Sequence, residues 1–218
     1  MSLAIFDLDN TLLAGDSDHA WGQFLVDKGI VDATHYQQAN DHFYRQYQEG
    51  ELDIFEYLAF ALEPLAKHDK AQLDQWHQLF MAEYIHPIIL EQGRELLEKH
   101  RQQGDYLLII TATNRFVTEP IARELGVDHI LATEPEWRDG AYTGKVAGTP
   151  CFQHGKVERL DTWLTENNQT LENSYFYSDS HNDLPLLEQV THPVAVDPDP
   201  ALQNRAEQEG WPVISLRG

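Results

Sequence analysis

Residues 3–13 read LAIFDLDNTLL. Leu3–Phe6 is a short apolar run that ends at two aspartates, Asp7 and Asp9, before the chain turns apolar again. A strand covered by helices on both sides has no solvent face to alternate with, so it reads as a continuous apolar stretch. Working outward, Tyr106–Ile110 and Tyr175–Tyr177 have the same form, and Val194–Val196 offers a fourth. Helical patterns separate them. Ile88–Gln103 carries Ile89, Leu90, Leu96 and Leu97 among charged residues and stops at Gly104; Asn114–Leu125 stops at Gly126; Lys156–Thr165 sets Val157, Leu160 and Leu164 on one face. Strands alternating with helices predict an α/β fold with a mostly parallel sheet. Trp137–Tyr142, centred on Asp139-Gly140, predicts a β-hairpin, and residues 197–210 predict a turn and a surface helix.

One region breaks the alternation. From Asp16 to about Tyr84 there is no strand signal, only apolar residues at helical spacing (Trp21, Phe24, Leu25; Tyr36, Phe43, Tyr47; Ile54, Phe55, Leu58, Leu62), punctuated by Gly29, Gly50 and Pro64. This predicts a helical subdomain, residues 16–85, inserted into a core made of residues 1–15 and 86–218.

Composition bounds the partners. With 15 Lys+Arg against 36 Asp+Glu the net charge is −21, which repels nucleic acid and anionic lipid, so neither is expected as a partner. Any phosphate site has to bring its own positive charge. No run approaches the ~18 apolar residues of a membrane span, and Asp7 interrupts the apolar start that a secretory signal would need. The single cysteine, Cys151, cannot form an intramolecular disulfide, in keeping with a reducing cytoplasm. The sequence is silent on oligomeric state.

In an open α/β sheet, ligands gather beyond the carboxyl ends of the strands. Asp7 and Asp9 follow the first strand, Thr111 the second, and Ser178 and Asp179 the run NSYFY, with Asp183 four residues on. Three or four carboxylates therefore share one sheet edge. Their repulsion calls for a cation, and hard oxygen ligands suit Mg²⁺, which readily shares its shell with a substrate phosphate.

Asp7-Leu8-Asp9-Asn10-Thr11-Leu12 resembles the first motif of haloacid-dehalogenase-type phosphohydrolases. Thr111 is similar to their second, Lys156 in HGKVERL to their third, and Asp179 with Asp183 in YSDSHNDLPLL to their fourth. The resemblance runs from residue 3 to about 187, and the helical insertion is similar to the cap of the phosphoserine-phosphatase branch. It implies a Rossmann-like core with helices on both faces and an α-helical cap. It also implies roles: Asp7 as nucleophile forming an aspartyl-phosphate, and Asp9 as acid toward the leaving alcohol and base toward water. Mg²⁺ would be held by Asp7, the Asp9 carbonyl and Asp179, with Asp183 behind on a metal-bound water or on Lys156. Thr111 and Lys156 would bind phosphoryl oxygens. An aspartate at the second position separates the phosphatases from the dehalogenases, so dehalogenation is not expected.

The cap bears on the substrate. In the phosphoserine enzymes an acid after motif one meets the amine and a cap arginine meets the carboxylate. Asp16 matches the first; no Lys or Arg lies between Gln46 and Leu65, where Glu49, Glu51, Asp53, Glu56 and Glu63 stand instead. An unpaired carboxylate in a closed pocket is costly, which favours an amine-bearing ester without one. The runs DLDNTLLAGDSDHAWGQFL and TATNRFVTEPIARELG resemble a bacterial group that includes histidinol-phosphate phosphatases. That resemblance implies L-histidinol phosphate; its amine is then expected on Asp16 with Asp18 and its ring on Trp21 or a cap phenylalanine, with Asn114 and Arg115, just after motif two, lining the phosphate side and Asn182 a further contact. Phosphoserine or a broad range of small phosphate esters is the alternative, as are a phosphotransferase and a non-catalytic phospho-ligand-binding regulator.

Overall fold

The computed structural model describes residues 2–218. β1 (Leu3–Phe6) is flanked by β2 (Tyr106–Asn114) and β5 (Tyr175–Ser178), and β3 (His129–Arg138), β4 (Ala141–Ala147), β6 (His192–Val196) and β7 (Val213–Ile214) complete a seven-stranded sheet. The order is β4-β3-β2-β1-β5-β6-β7, parallel throughout except for the antiparallel β3–β4 pair. The chain steps outward from β1 to β4, returns to the other side of β1, and steps outward again. The edge beyond β1 is thus the switch point where a crevice opens.

β1 is buried on both faces, as its unbroken apolar run predicts. Ala4 and Phe6 join one hydrophobic cluster with Ile109 and Tyr177, while Leu3 and Ile5 join the other with Leu108 and Phe176. The alternation follows from the two-residue period of a strand.

Between β1 and β2 lie α1 (Ser17–Asp27), α2 (Ala33–Glu49), α3 (Ile54–Ala61), α4 (Glu63–Lys67) and α5 (Lys70–Phe80). Aspartates at residues 16, 32, 53 and 69 accept backbone N–H bonds at the starts of α1, α2, α3 and α5, which explains part of the acidity of this region. None of these helices is long and apolar enough to cross a membrane. The insertion is rooted in the core: Trp21 of α1 packs on Phe24, His77 and Phe80, and also on Phe116 of α7 (Arg115–Leu125). The remaining helices are α6 (Glu91–Gln103), α8 (His154–Asn167), α9 (Leu184–Leu187) and α10 (Pro200–Glu209).

Two boundaries differ from expectation. α6 begins at Glu91 rather than Ile88, because Ile89 and Leu90 are extended and pair with Leu13 and Leu12 of the loop after β1. The hairpin is present, with Asp139 and Gly140 both at positive φ, but its first strand reaches back to His129. That half of β3 pairs with β2 in the interior; the other half emerges into the antiparallel ribbon.

Candidate active site

Asp7 N–H donates to the Tyr177 carbonyl at 2.9 Å, and three N–H groups, of Thr11, Leu12 and Leu13, converge on the Leu8 carbonyl. The chain therefore leaves β1 in a tight turn, with Asn10 at φ 57°, and sets Asp7 and Asp9 at the sheet edge. The neighbouring loop after β5 is tied to it. Thr11 Oγ1 donates to Asp179 Oδ1 and accepts from Asp179 N–H, each at 3.1 Å.

The two aspartates have different partners. Asp7 Oδ1 accepts from Lys156 Nζ at 2.8 Å, and that ammonium also meets Asp183, whose Oδ2 is held by the Ser178 hydroxyl at 2.7 Å. Asp9 receives only neutral donors: Ser17 N–H on Oδ1 at 2.6 Å, and the hydroxyls of Thr113 at 2.8 Å and Thr111 at 3.4 Å on Oδ2.

Asp16 caps α1 through Oδ1, accepting from Asp18 N–H and His19 N–H. Asp18, buried, receives Asn114 Nδ2 at 3.5 Å and shares the cavity wall with Tyr57. Asp16, Asp18 and Tyr57, with Phe43, Tyr44 and Tyr47, line a cavity that reaches Asp7, Asp9, Thr111 and Thr113.

Against one ammonium, Lys156, stand Asp7, Asp9, Asp16, Asp18, Asp179 and Asp183. Burial is the main cause that raises Asp7 to about 7, with Asp183 and Asp9 adding to it and Lys156 opposing. Burial and then Asp16 raise Asp9 to about 6; burial raises Asp16 and Asp18 to about 7, and lifts Asp179 well above its ordinary value. Charge of one sign is concentrated here. Among the described residues no three His, Cys, Asp or Glu side chains form a complete metal site. Asp7 and Asp179 do couple through their charges, and no hydrogen bond from the described residues reaches Oδ2 of either. Two hard carboxylate oxygens with the remaining positions left to backbone oxygen and water fit Mg²⁺ better than a dedicated protein cage does.

Other expected contacts lie elsewhere. Arg115 does not face the cavity: its guanidinium is taken by Glu134, at 2.7 to 2.9 Å, and by the Ile130 carbonyl, a better-satisfied position for a planar fork than the acidic cavity wall. Asn114 primarily caps α7 through Val117 N–H. Asn182 spans cap and core, donating to the Tyr47 carbonyl and accepting from Gln153. Trp21, at 2% exposure, belongs to the core; Phe43 is the cap phenylalanine that reaches the cavity. Thr113 and the cavity tyrosines escaped the sequence reading. Thr113 stands two residues beyond Thr111, the spacing that shares a strand face, so a signal existed; Tyr44, Tyr47 and Tyr57 sit at helical spacings indistinguishable from core packing.

The model of the haloacid dehalogenase-like hydrolases matches residues 4–188. The chain belongs to that family, as one of its phosphatases. It is 49% identical over 220 residues to the histidinol-phosphatase of Neisseria meningitidis serogroup C (strain 8013), covering 99% of each chain. A crystal structure of a protein of unknown function from Bordetella pertussis Tohama I superposes with a TM-score of 0.93 at 46% identity, covering 99% of this chain and 98% of that one. A substrate-bound phosphoserine phosphatase shares the fold, with a TM-score of 0.73 at 17% identity over 98% of this chain and 92% of that one.

Proposed function

We propose that the chain is a Mg²⁺-dependent phosphomonoesterase that works through an aspartyl-phosphate on Asp7. The observation that carries this is the division of partners between two carboxylates only two residues apart. Asp7 is paired with the buried ammonium of Lys156, which keeps an oxygen nucleophilic beside a positive charge able to receive a phosphoryl group. Asp9 meets only neutral donors, with no ammonium to hold it as a carboxylate, so it is the one of the two placed to carry a proton. It donates that proton to the leaving alcohol and later takes one from the water that attacks phosphorus on Asp7.

Asp7, Asp179 and the Asp9 carbonyl would hold Mg²⁺. When bound, the ion supplies positive charge to the phosphoryl oxygens and offsets the crowded carboxylates. Thr111 and Lys156 bind and orient the phosphoryl group from the core side. Asp183 holds Lys156 in place.

We further propose L-histidinol phosphate as the substrate. The cavity wall is acidic and aromatic, with Asp16, Asp18, Phe43 and Tyr57, and it holds no Lys or Arg to pair with a substrate carboxylate. An amine and an imidazole fit it; the relative at 49% identity, named for histidinol phosphate, supports the same reading. A biosynthetic substrate of this kind suits a cytoplasmic enzyme.

Phosphate release with Mg²⁺ from histidinol phosphate, phosphoserine and p-nitrophenyl phosphate tests both proposals. Asp7→Asn is expected to lose activity on all three. Phosphoserine turnover well above histidinol phosphate removes the substrate, and binding without phosphate release removes the enzyme.

A further inference from the structure

Asp9 sits on a turn, and its backbone alone does not fix where the carboxyl points. Both oxygens are held from elsewhere. Ser17, the first residue of α1, donates its N–H to Oδ1 at 2.6 Å, and Thr113 donates its hydroxyl to Oδ2 at 2.8 Å. The acid is clamped between the first cap helix and the core strand β2.

Thr113 arrives there through an irregularity. β2 and β3 pair in register up to Thr111↔Ala132, and the next pair is Asn114↔Thr133. β2 takes three steps where β3 takes one, so Ala112 and Thr113 are extra. Such a bulge bends the strand and re-aims its side chains. Thr133 secures it: its hydroxyl donates to the Ala112 carbonyl at 2.7 Å and accepts from Cys151 N–H at 3.0 Å. Thr113 N–H in turn donates to Thr111 Oγ1 at 3.2 Å. Two hydroxyls from one bulge thus converge on a single carboxylate oxygen. A buried hydroxyl needs some acceptor; here the acceptor is the one carboxyl that has to aim a proton.

We propose that Thr113 is a positioning residue, whose hydroxyl fixes the plane of the Asp9 carboxyl so that its proton faces the departing alcohol oxygen. This rests on the role given to Asp9 above. In that step an Asp7 oxygen bonds to phosphorus as the ester P–O bond breaks. The electron pair of the broken bond stays with the alcohol oxygen, which takes the proton from Asp9 and leaves Asp9 a carboxylate. Protonation matters most when the leaving group is an alkoxide and little when it is an aryl oxide that departs unprotonated.

The test compares kcat/KM, which covers the steps through alcohol departure, on histidinol phosphate and on p-nitrophenyl phosphate with Mg²⁺ present. General acid catalysis contributes about 10² to 10⁴-fold, so Thr113→Val, which costs only its aim, is expected to lose roughly tenfold on the alkyl ester and under about threefold on the aryl ester. Thr113→Ser, which keeps the hydroxyl, restores the alkyl value. Equal losses on both esters, no loss on either, or no rescue by serine overturns the proposal. Thr113→Ala repeats the comparison if the valine variant does not fold. Asp9→Asn separates the two levels. If it loses both esters alike, the acid role of Asp9 fails; if it is selective and Thr113→Val is not, only the positioning role fails.

Discussion

Lys156 Nζ is held by both oxygens of Asp183, at 2.7 Å and 2.8 Å, deep enough that the lysine is 2% exposed. Burial alone would lower the pKa of such a lysine, yet Asp183 and then Asp7 outweigh it and the net shift is upward. The ammonium is therefore a permanent charge at the pH of the cell, and Asp183 is what keeps it there. Removing one member of a buried ion cluster leaves the rest uncompensated, at a cost of about 3–5 kcal/mol. Lys156→Met, which retains the side chain's length, is expected to lose about that much stability in metal-free urea unfolding, and at least roughly 100-fold in phosphatase activity as an electrostatic donor to the phosphoryl group disappears. An unchanged unfolding midpoint would contradict the assignment.

The crowded carboxylates give the metal-free protein a characteristic pH dependence. Asp7, Asp16 and Asp18 are raised to about 7 and Asp9 to about 6, against an unfolded value near 3.8. The folded state then binds more protons than the unfolded state between these values, so stability falls as pH rises through the window from about 4 to 7. Below that window the contribution is fully present; above it, it is lost. With EDTA, Tm is expected to be higher at pH 5.5 than at pH 8. Saturating Mg²⁺ binds the ionised carboxylates and should shrink or reverse the difference. A metal-free Tm that rises from pH 5.5 to pH 8 would rule out this account.

The strands whose residues are buried on both sides were the most legible part of the chain. β1 matches the expected Leu3–Phe6, and β5 differs from expectation only by Ser178. Asp7, Asp9, Thr111, Asp179 and Asp183 were readable because strand ends converge by topology, whatever the loops do; Lys156, on α8, was readable only through the resemblance of HGKVERL to a family motif. β3 was not readable: it is buried for four residues and then exposed, so no single period describes it. Arg115 shows the other limit. Its sequence position shortly after Thr111 suggested the phosphate, but the destination of a long side chain at the start of α7 depends on Glu134, nineteen residues away on β3. The cavity tyrosines are invisible for a similar reason, since α2 and α3 turn different faces to the core and to the site.

Asp18 and Tyr57 are expected to set substrate preference. Asp18 comes from α1 and Tyr57 from α3, and both line the cavity. Neither touches the phosphoryl group in the proposed arrangement. Asp18→Asn removes a charge that faces the substrate cation, an interaction worth on the order of 1 to 2 kcal/mol when partly desolvated. KM for histidinol phosphate should rise about tenfold, while KM for p-nitrophenyl phosphate, which carries no cation, stays within about twofold. Equal rises for both esters would show that Asp18 is structural.

Gly50 ends α2 at φ +75°, and a Cβ built there would lie 2.6 Å from His181 Nε2. The imidazole cannot easily retreat, because its Nδ1 and its own N–H are both bonded to Asp199 Oδ2 at 2.7 Å. The same patch holds Asn182 against the Tyr47 carbonyl, so the end of α2 is seated directly on the loop that carries Asp179 and Asp183. Gly50→Ala strains the backbone by about 1 kcal/mol and forces α2 off this loop. With the cap displaced and the core intact, KM for histidinol phosphate should rise roughly fivefold with kcat within about twofold, since lids govern admission more than the phosphoryl step itself. Adding His181→Ala removes the clash but not the positive φ, so KM should recover most of the way while the stability loss remains. If the double variant binds no better than Gly50→Ala, the contact between Gly50 and His181 does not seat the cap.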